Sequence, residues 1–137
     1  MRVLVCGGRT YGIIPDGCPP DQSRYWRERS ARERFFLRET LDVFHQGQPI
    51  DVLIHGGAKG ADSIAGLWAA QRNIRVDVFK ADWKALGKRA GPVRNARMLF
   101  EGKPDLVVAF PGGIGTLNMI SQAKAAGVVV WEPGVCT

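Results

Sequence analysis

Five short apolar runs punctuate the chain, at Val3–Cys6, Val52–His55, Val76–Phe79, Leu106–Phe110 and Val128–Trp131. They are rich in β-branched residues and alternate little, the pattern of strands buried on both faces of a parallel sheet. Helical periodicity lies between them, near Arg29–Gln46, Ala61–Arg72, Pro92–Phe100 and Gly115–Ala126. In the second of these stretches Ile64, Leu67, Trp68 and the Ala69-Ala70 pair form an apolar stripe opposite Gln71 and Arg72. Gly60 or Asp62 is placed to start that helix, and Gly127 to end the last one in a left-handed cap. Strands alternating with helices predict right-handed βαβ units. The expected fold is therefore α/β: a single domain over residues 1–137 with a Rossmann-like, doubly wound parallel sheet of about five strands and helices on both faces.

One stretch breaks the alternation. Tyr11 to Tyr25 crowds prolines and glycines ahead of Asp21, Gln22 and Ser23, and reads as a loop insertion near residues 11–25. Such a loop serves either as a binding loop or as a plain surface excursion.

Ligands of open α/β sheets sit beyond the carboxyl ends of the strands, so the residues that follow each strand matter most. The first strand is followed by Gly7-Gly8-Arg9-Thr10 and the second by Gly56-Gly57-Ala58-Lys59-Gly60-Ala61-Asp62. The third leads through Lys80-Ala81-Asp82-Trp83 to Arg89-Ala90-Gly91-Pro92-Val93-Arg94-Asn95. The fourth runs into Pro111-Gly112-Gly113-Ile114-Gly115-Thr116. This last segment is a buried strand, a glycine turn and a helix start in succession. Glycines let a backbone approach a ligand closely, and a helix start offers free N–H groups and the positive end of its dipole. That combination suits a phosphate or another anion. The first turn lacks G-x-G-x-x-G, and Gly56 to Gly60 lacks the G-K-[ST] ending, so ordinary dinucleotide binding and NTP hydrolysis both lose ground.

Composition adds charge to this picture. The net charge is +6, and arginine dominates the 19 basic residues. Its planar fork of donors matches phosphate. Nucleic acid is a second candidate partner, because Arg24, Arg27, Arg29, Arg32, Arg34 and Arg38 interleave with Tyr25, Trp26, Phe35 and Phe36. Those are the ingredients of a single-strand platform. The plainer reading pairs the arginines with Glu28, Glu33 and Glu39 on a solvated face, so nucleic acid ranks below a nucleotide-like small molecule. No apolar run approaches the roughly 20 residues of a membrane span, and the N-terminal run is too short for a signal peptide. A cytoplasmic protein is expected, with no membrane partner. Cys6, Cys18 and Cys136 have no metal-like spacing and read as reduced thiols. Neither they nor His45 and His55 form a metal constellation, and no metal or cofactor is expected. His55, beside the second turn, is placed to touch a ligand.

Taken together, Gly7-Gly8-Arg9, His55 to Asp62, Ala90-Gly91-Pro92-Val93-Arg94-Asn95-Ala96-Arg97-Met98 and Phe110 to Thr116 resemble the SLOG superfamily. The resemblance is closest to its YspA/YpsA-related branch and covers nearly the whole chain. It implies a Rossmann-like sheet, a site for a nucleotide or nucleotide derivative, and a homodimer or higher homo-oligomer. Lonely Guy phosphoribohydrolases and the DNA-processing protein A family belong to the same superfamily. In the Lonely Guy enzymes an arginine lies in R-x-x-x-M and a glutamate ends PGGxGTxxE. The arginine corresponds to Arg94, whereas Met119 occupies the glutamate position.

The leading expectation is binding of a nucleoside phosphate or ADP-ribose-like ligand. Pro111, Gly112, Gly113, Gly115 and Thr116 would cradle phosphate, with Arg94, Asn95 and Arg9 beside it and Gly7 and Gly8 at the first turn. Gly56, Gly57 and Lys59 would hold a second phosphate or the ribose. The alternative is an N-glycosidase or phosphoribohydrolase acting on nucleoside monophosphates. There Arg94 would serve the chemistry, and Asp62 or Asp82 would supply the carboxylate that such a reaction needs near the anomeric carbon.

Overall fold

The computed structural model describes residues 1–134, so Cys136 lies outside the described residues. The strands are β1 (Arg2–Cys6), β2 (Val52–His55), β3 (Arg75–Val78), β4 (Leu106–Ala109) and β5 (Val129–Trp131). The helices are α1 (Ser23–Gly47), α2 (Ala61–Gln71), the single turn α3 (Trp83–Leu86), α4 (Ala90–Gly102) and α5 (Ile114–Ala125). The five strands form one sheet in the order β3-β2-β1-β4-β5, with every neighbouring pair parallel. The order reverses between β1 and β4, which places a cleft beyond their carboxyl ends.

Alternation along the central strands splits the core in two. Val3, Val5, Leu53 and Val108 pack with Leu37, Leu41 and Trp68 on the α1/α2 side. Leu4, Ile54, Val107 and Ala109 pack with Met98, Met119 and Ile120 on the α4/α5 side. Trp68 ties the first layer together, its Nε1 donating to Asp42 Oδ1 at 3.0 Å. Burial on both faces holds for β2 and β4 and nearly all of β1, but not for the edge strands β3 and β5, where Val78 and Val129 are 45% and 65% exposed. Among the described residues no helix is long and apolar enough to cross a membrane.

The five strands and four of the helices match the sequence reading, with shifted ends, while the single turn α3 was not expected. α1 begins at Ser23 instead of near Arg29, so the irregular loop closes before Tyr25. The polar first turns carry no apolar period, but Arg24–Glu28 and Arg29–Glu33 form i,i+4 pairs that support them. The loop is pinned to α1: Gly12 N donates to Glu33, and Arg34 Nε donates to Gly12 O at 2.7 Å. α4 starts at Ala90, with Pro92 in its first turn, where no intrahelical N–H partner is needed. Gly127 ends α5 at φ +76. Its N–H bonds to Lys124 O, and that of Val128 to Ala123 O, as a left-handed helix cap requires.

Backbone hydrogen bonds from Gly8 join three turns. Its N–H donates to Pro111 O at 2.9 Å, and its carbonyl accepts from Ala61 N at 3.2 Å. Gly60, at φ +80 and ψ −130, passes so close to this knot that an added Cβ would strike Gly8 O. Gly60→Ala should therefore cost about 2–4 kcal/mol of stability, read as a lower urea midpoint at unchanged slope.

Candidate functional site

The turns tied by Gly8 enclose a cleft of two adjoining lobes beyond the sheet's carboxyl edge. The first, of about 450 Å³, is lined by residues of all four predicted turns, including Gly7, Gly8, Arg9, Asp62, Arg94, Asn95, Gly113, Gly115 and Thr116. Its size falls within the range of small-molecule sites. The N-terminus of α5 opens into it. No side chain caps that end, so the N–H groups of Ile114, Gly115 and Thr116 lack intrahelical partners. A Cβ built on Gly113 or Gly115 meets nothing within 4 Å, and neither residue has a positive φ. The fold itself thus makes no demand for glycine at either position. Gly112 differs: its Cβ would strike Thr116 Oγ1 and come 2.7 Å from Gly8 N. Pro111 and Gly112 shape the turn from behind and do not line the cleft.

Arg94 faces this helix end from α4. Its Nη1 donates to Gly56 O at 2.6 Å and its Nε to Asn95 Oδ1 at 3.0 Å. Asn95 passes the connection on, donating through Nδ2 to Gly115 O and to Asn118 Oδ1. Gln122 also donates to Asn118 Oδ1 and to Pro92 O. One polar chain therefore links the β2 turn, α4 and α5, and fixes Arg94 at the cleft. Among the described residues Arg94 Nη2 makes no hydrogen bond. Burial pulls the Arg94 pKa below its ordinary value, and the Asp62 charge opposes that shift.

Asp62 is 6% exposed. Its Oδ2 accepts from Gly56 N at 3.0 Å and Ala58 N at 3.3 Å, so it braces the second turn and does not cap its own helix. Oδ1 has no hydrogen-bond partner among the described residues. Burial pushes the Asp62 carboxyl up to about 6, against the pull of the Ala58 N–H and Arg94. His55 Nδ1 accepts from Gly57 N at 2.9 Å. Burial, and then Arg94, lowers the His55 pKa and keeps its ring neutral. The N–H groups of Gly56, Gly57 and Ala58 are thus all engaged within the protein.

The second lobe, of about 550 Å³, shares Arg9, Ala58, Trp83 and Arg94 with the first and adds Gly56, Gly57, Lys59, Lys80 and Ala81. The Arg9 guanidinium lies 4.9 Å from the centre of the Trp83 ring, a cation–π arrangement that holds both at the junction. Asp82 lines neither lobe; its Oδ1 accepts from Ala85 N at 3.1 Å and caps α3. Met119 is fully buried beside Leu4, Cys6 and Ala109, whereas its neighbour Asn118 lines the first lobe. Cys6 lines that lobe too, but burial pushes its thiol up to about 12, which leaves it protonated and unreactive.

Trp83, Lys80, Lys88 and Asn118 were not among the site residues expected from sequence. Lys80 and Trp83 sit in the tract after β3 that reads as strand-to-helix connection. Asn118 carried a weak signal, one turn beyond Gly115 on the same helix.

An open parallel sheet with a cationic, glycine-lined cleft beyond its carboxyl edge makes this a Rossmann-like α/β protein. Residues 1–86 match the YspA, cpYpsA-related SLOG family, and the chain belongs to it. It is similar to the Gene 61 protein of Mycobacterium phage D29, with 36% identity over 115 residues, covering 79% of this chain and 88% of that protein. No solved structure matches the chain. Membership of this family points to a nucleotide-related role.

The raised Asp62 carboxyl has a signed consequence. Unfolded, the group loses its proton near 3.8, and folded near 6. Between those values the folded state holds more proton, so this group's contribution falls as pH rises. Asp62→Asn keeps an acceptor for Gly56 and Ala58 but removes the charge. Relative to wild type, the variant should gain about 2 kcal/mol in urea unfolding between pH 4 and pH 7. An unchanged difference across that window would contradict the buried carboxylate.

Proposed function

We propose that the cleft binds a nucleoside phosphate, with a phosphate group at the α5 N-terminus. The observation that carries this reading is the pairing of an uncapped helix end with two glycines, Gly113 and Gly115, that the fold does not require. A helix N-terminus stabilises an anion through its free N–H groups and its dipole. Glycine there keeps the approach clear for a ligand's oxygens. Arg94, held in place through Gly56 and Asn95, lines the same lobe. Asp62 Oδ1 supplies an acceptor in the first lobe, suited to a ribose hydroxyl.

A second reading, hydrolysis of the N-glycosidic bond of a nucleoside monophosphate, is favoured by one observation. Asp62 is a carboxyl in the cleft whose pKa of about 6 lets it exchange a proton near neutral pH. Water would attack the anomeric carbon, its proton would pass to the carboxylate, and the base would leave with the bonding pair. Asp62 is the sole candidate of the two, since Asp82 is engaged as a cap away from the lobes. For nucleic acid the α1 arginines offer less, because Arg24 and Arg29 pair with glutamates and Arg34 holds the loop at Gly12.

Gly115→Ala separates fold from function. It should keep or raise stability, by up to about 1 kcal/mol, because alanine is the better helix former. Affinity for nucleoside monophosphates should fall at least about tenfold as the methyl group enters the phosphate's space. Calorimetric titration of the four ribonucleoside monophosphates, with thermal melts of the same samples, checks both. Arg94→Ala should abolish the ligand-dependent rise in Tm. Undiminished binding by Gly115→Ala would contradict the placement at α5. Free base released by wild type and lost in Asp62→Asn would establish the second reading.

A further inference from the structure

Four cationic side chains line the second lobe, Arg9, Lys59, Lys80 and Arg94, and no carboxylate does. Asp82 has an oxygen engaged by Ala85 N and lies outside both lobes, and Asp62 does not line this lobe, its Oδ2 being held behind the turn by Gly56 N and Ala58 N. Gathering this charge in one concavity sets up a strongly positive potential that an anion relieves. The backbone of the glycine turn does not supply the attraction, because the N–H groups of Gly56, Gly57 and Ala58 donate to Asp62 and His55.

The side chains also decide which group the lobe takes. Lysine and arginine are donors without acceptors. A ribose diol both donates and accepts, and a carboxylate that takes its protons lines the first lobe at Asp62 and not the second. The second lobe suits oxyanions. Arg9 and Arg94 line both lobes, so each guanidinium stands where it serves two adjacent anionic groups through separate N–H donors.

We infer that the ligand is a diphosphate, a nucleoside diphosphate or a derivative of one. Its first phosphate lies at the α5 N-terminus and its second lies among Arg9, Lys59, Lys80 and Arg94. This rests on the reading of the α5 end as a phosphate site and adds the number and placement of the phosphates.

The test compares affinities for AMP and ADP, with the corresponding guanosine, cytidine and uridine pairs and with phosphate and pyrophosphate. Wild type and the double variant Lys59→Ala/Lys80→Ala are titrated side by side. Both lysines are exposed, so the variant should melt with the wild type. For at least one base, wild type should bind the diphosphate about tenfold or more tightly than the monophosphate. In the double variant that ratio should fall to within about twofold of unity. A ratio near unity in wild type, or one that the double variant leaves intact, overturns the inference while monophosphate binding keeps the α5 site. If neither nucleotides nor pyrophosphate bind, both readings fall. A lysine-dependent preference for pyrophosphate over phosphate, with no gain from any nucleoside, supports the lobe and refutes the nucleoside.

Discussion

Gly8 donates its N–H to Pro111 and accepts at its carbonyl from Ala61, so one residue holds together the turns after β1, β2 and β4. Everything at the cleft depends on that knot. It sets the distance between the start of α2, which carries Asp62, and the start of α5. It also explains the local demand for small residues: a Cβ on Gly7 would come within 2.6 Å of Ala61 Cβ, and one on Gly8 within 3.0 Å of Pro111 O. These glycines serve close packing of backbone on backbone. Gly113 and Gly115 are of another kind, since open space lies where their side chains would be. The same residue type thus has two physical roles within one site.

Around the knot the protein keeps groups that are costly to hold. A carboxyl buried to 6% exposure and a half-buried guanidinium stand in one cleft, each pulled toward its neutral form by loss of water. Their mutual attraction and the hydrogen bonds to Gly56, Ala58 and Asn95 offset part of that cost. The chain from Arg94 through Asn95 and Asn118 to Gln122 fixes the guanidinium without neutralising it. A fold under no functional constraint is more stable with apolar groups in such places. The arrangement makes physical sense as preorganised recognition of an anion.

Much of this was legible in the sequence. The central strands announced themselves as β-branched runs, and the glycine turns followed them at the edge where α/β ligands bind. Arg94, Asn95, Gly113, Gly115 and Thr116 were expected together and line one cleft, whereas Pro111 and Gly112 lie behind it. Other features had no one-dimensional signal. The early start of α1 rests on ion pairs and a loop anchor, not on apolar periodicity. The division between Gly113 and Gly112, one open and one close-packed, depends on what the fold brings opposite each. Lys80 and Trp83 join the site because the tract after β3 passes the β2 turn, where the Lys80 side chain lies against Gly57. Asp82 looked equivalent to Asp62 along the chain, and three dimensions separate them into a cap and a cleft carboxyl.

The most direct test of a phosphate at the α5 N-terminus is an amide-resolved NMR titration of the protein with ADP. The account predicts the largest shifts at the N–H groups of Ile114, Gly115 and Thr116 and at the Arg94 side chain, saturating together at one affinity. Shifts confined to the arginine-rich face of α1, with the α5 amides unmoved, would contradict it.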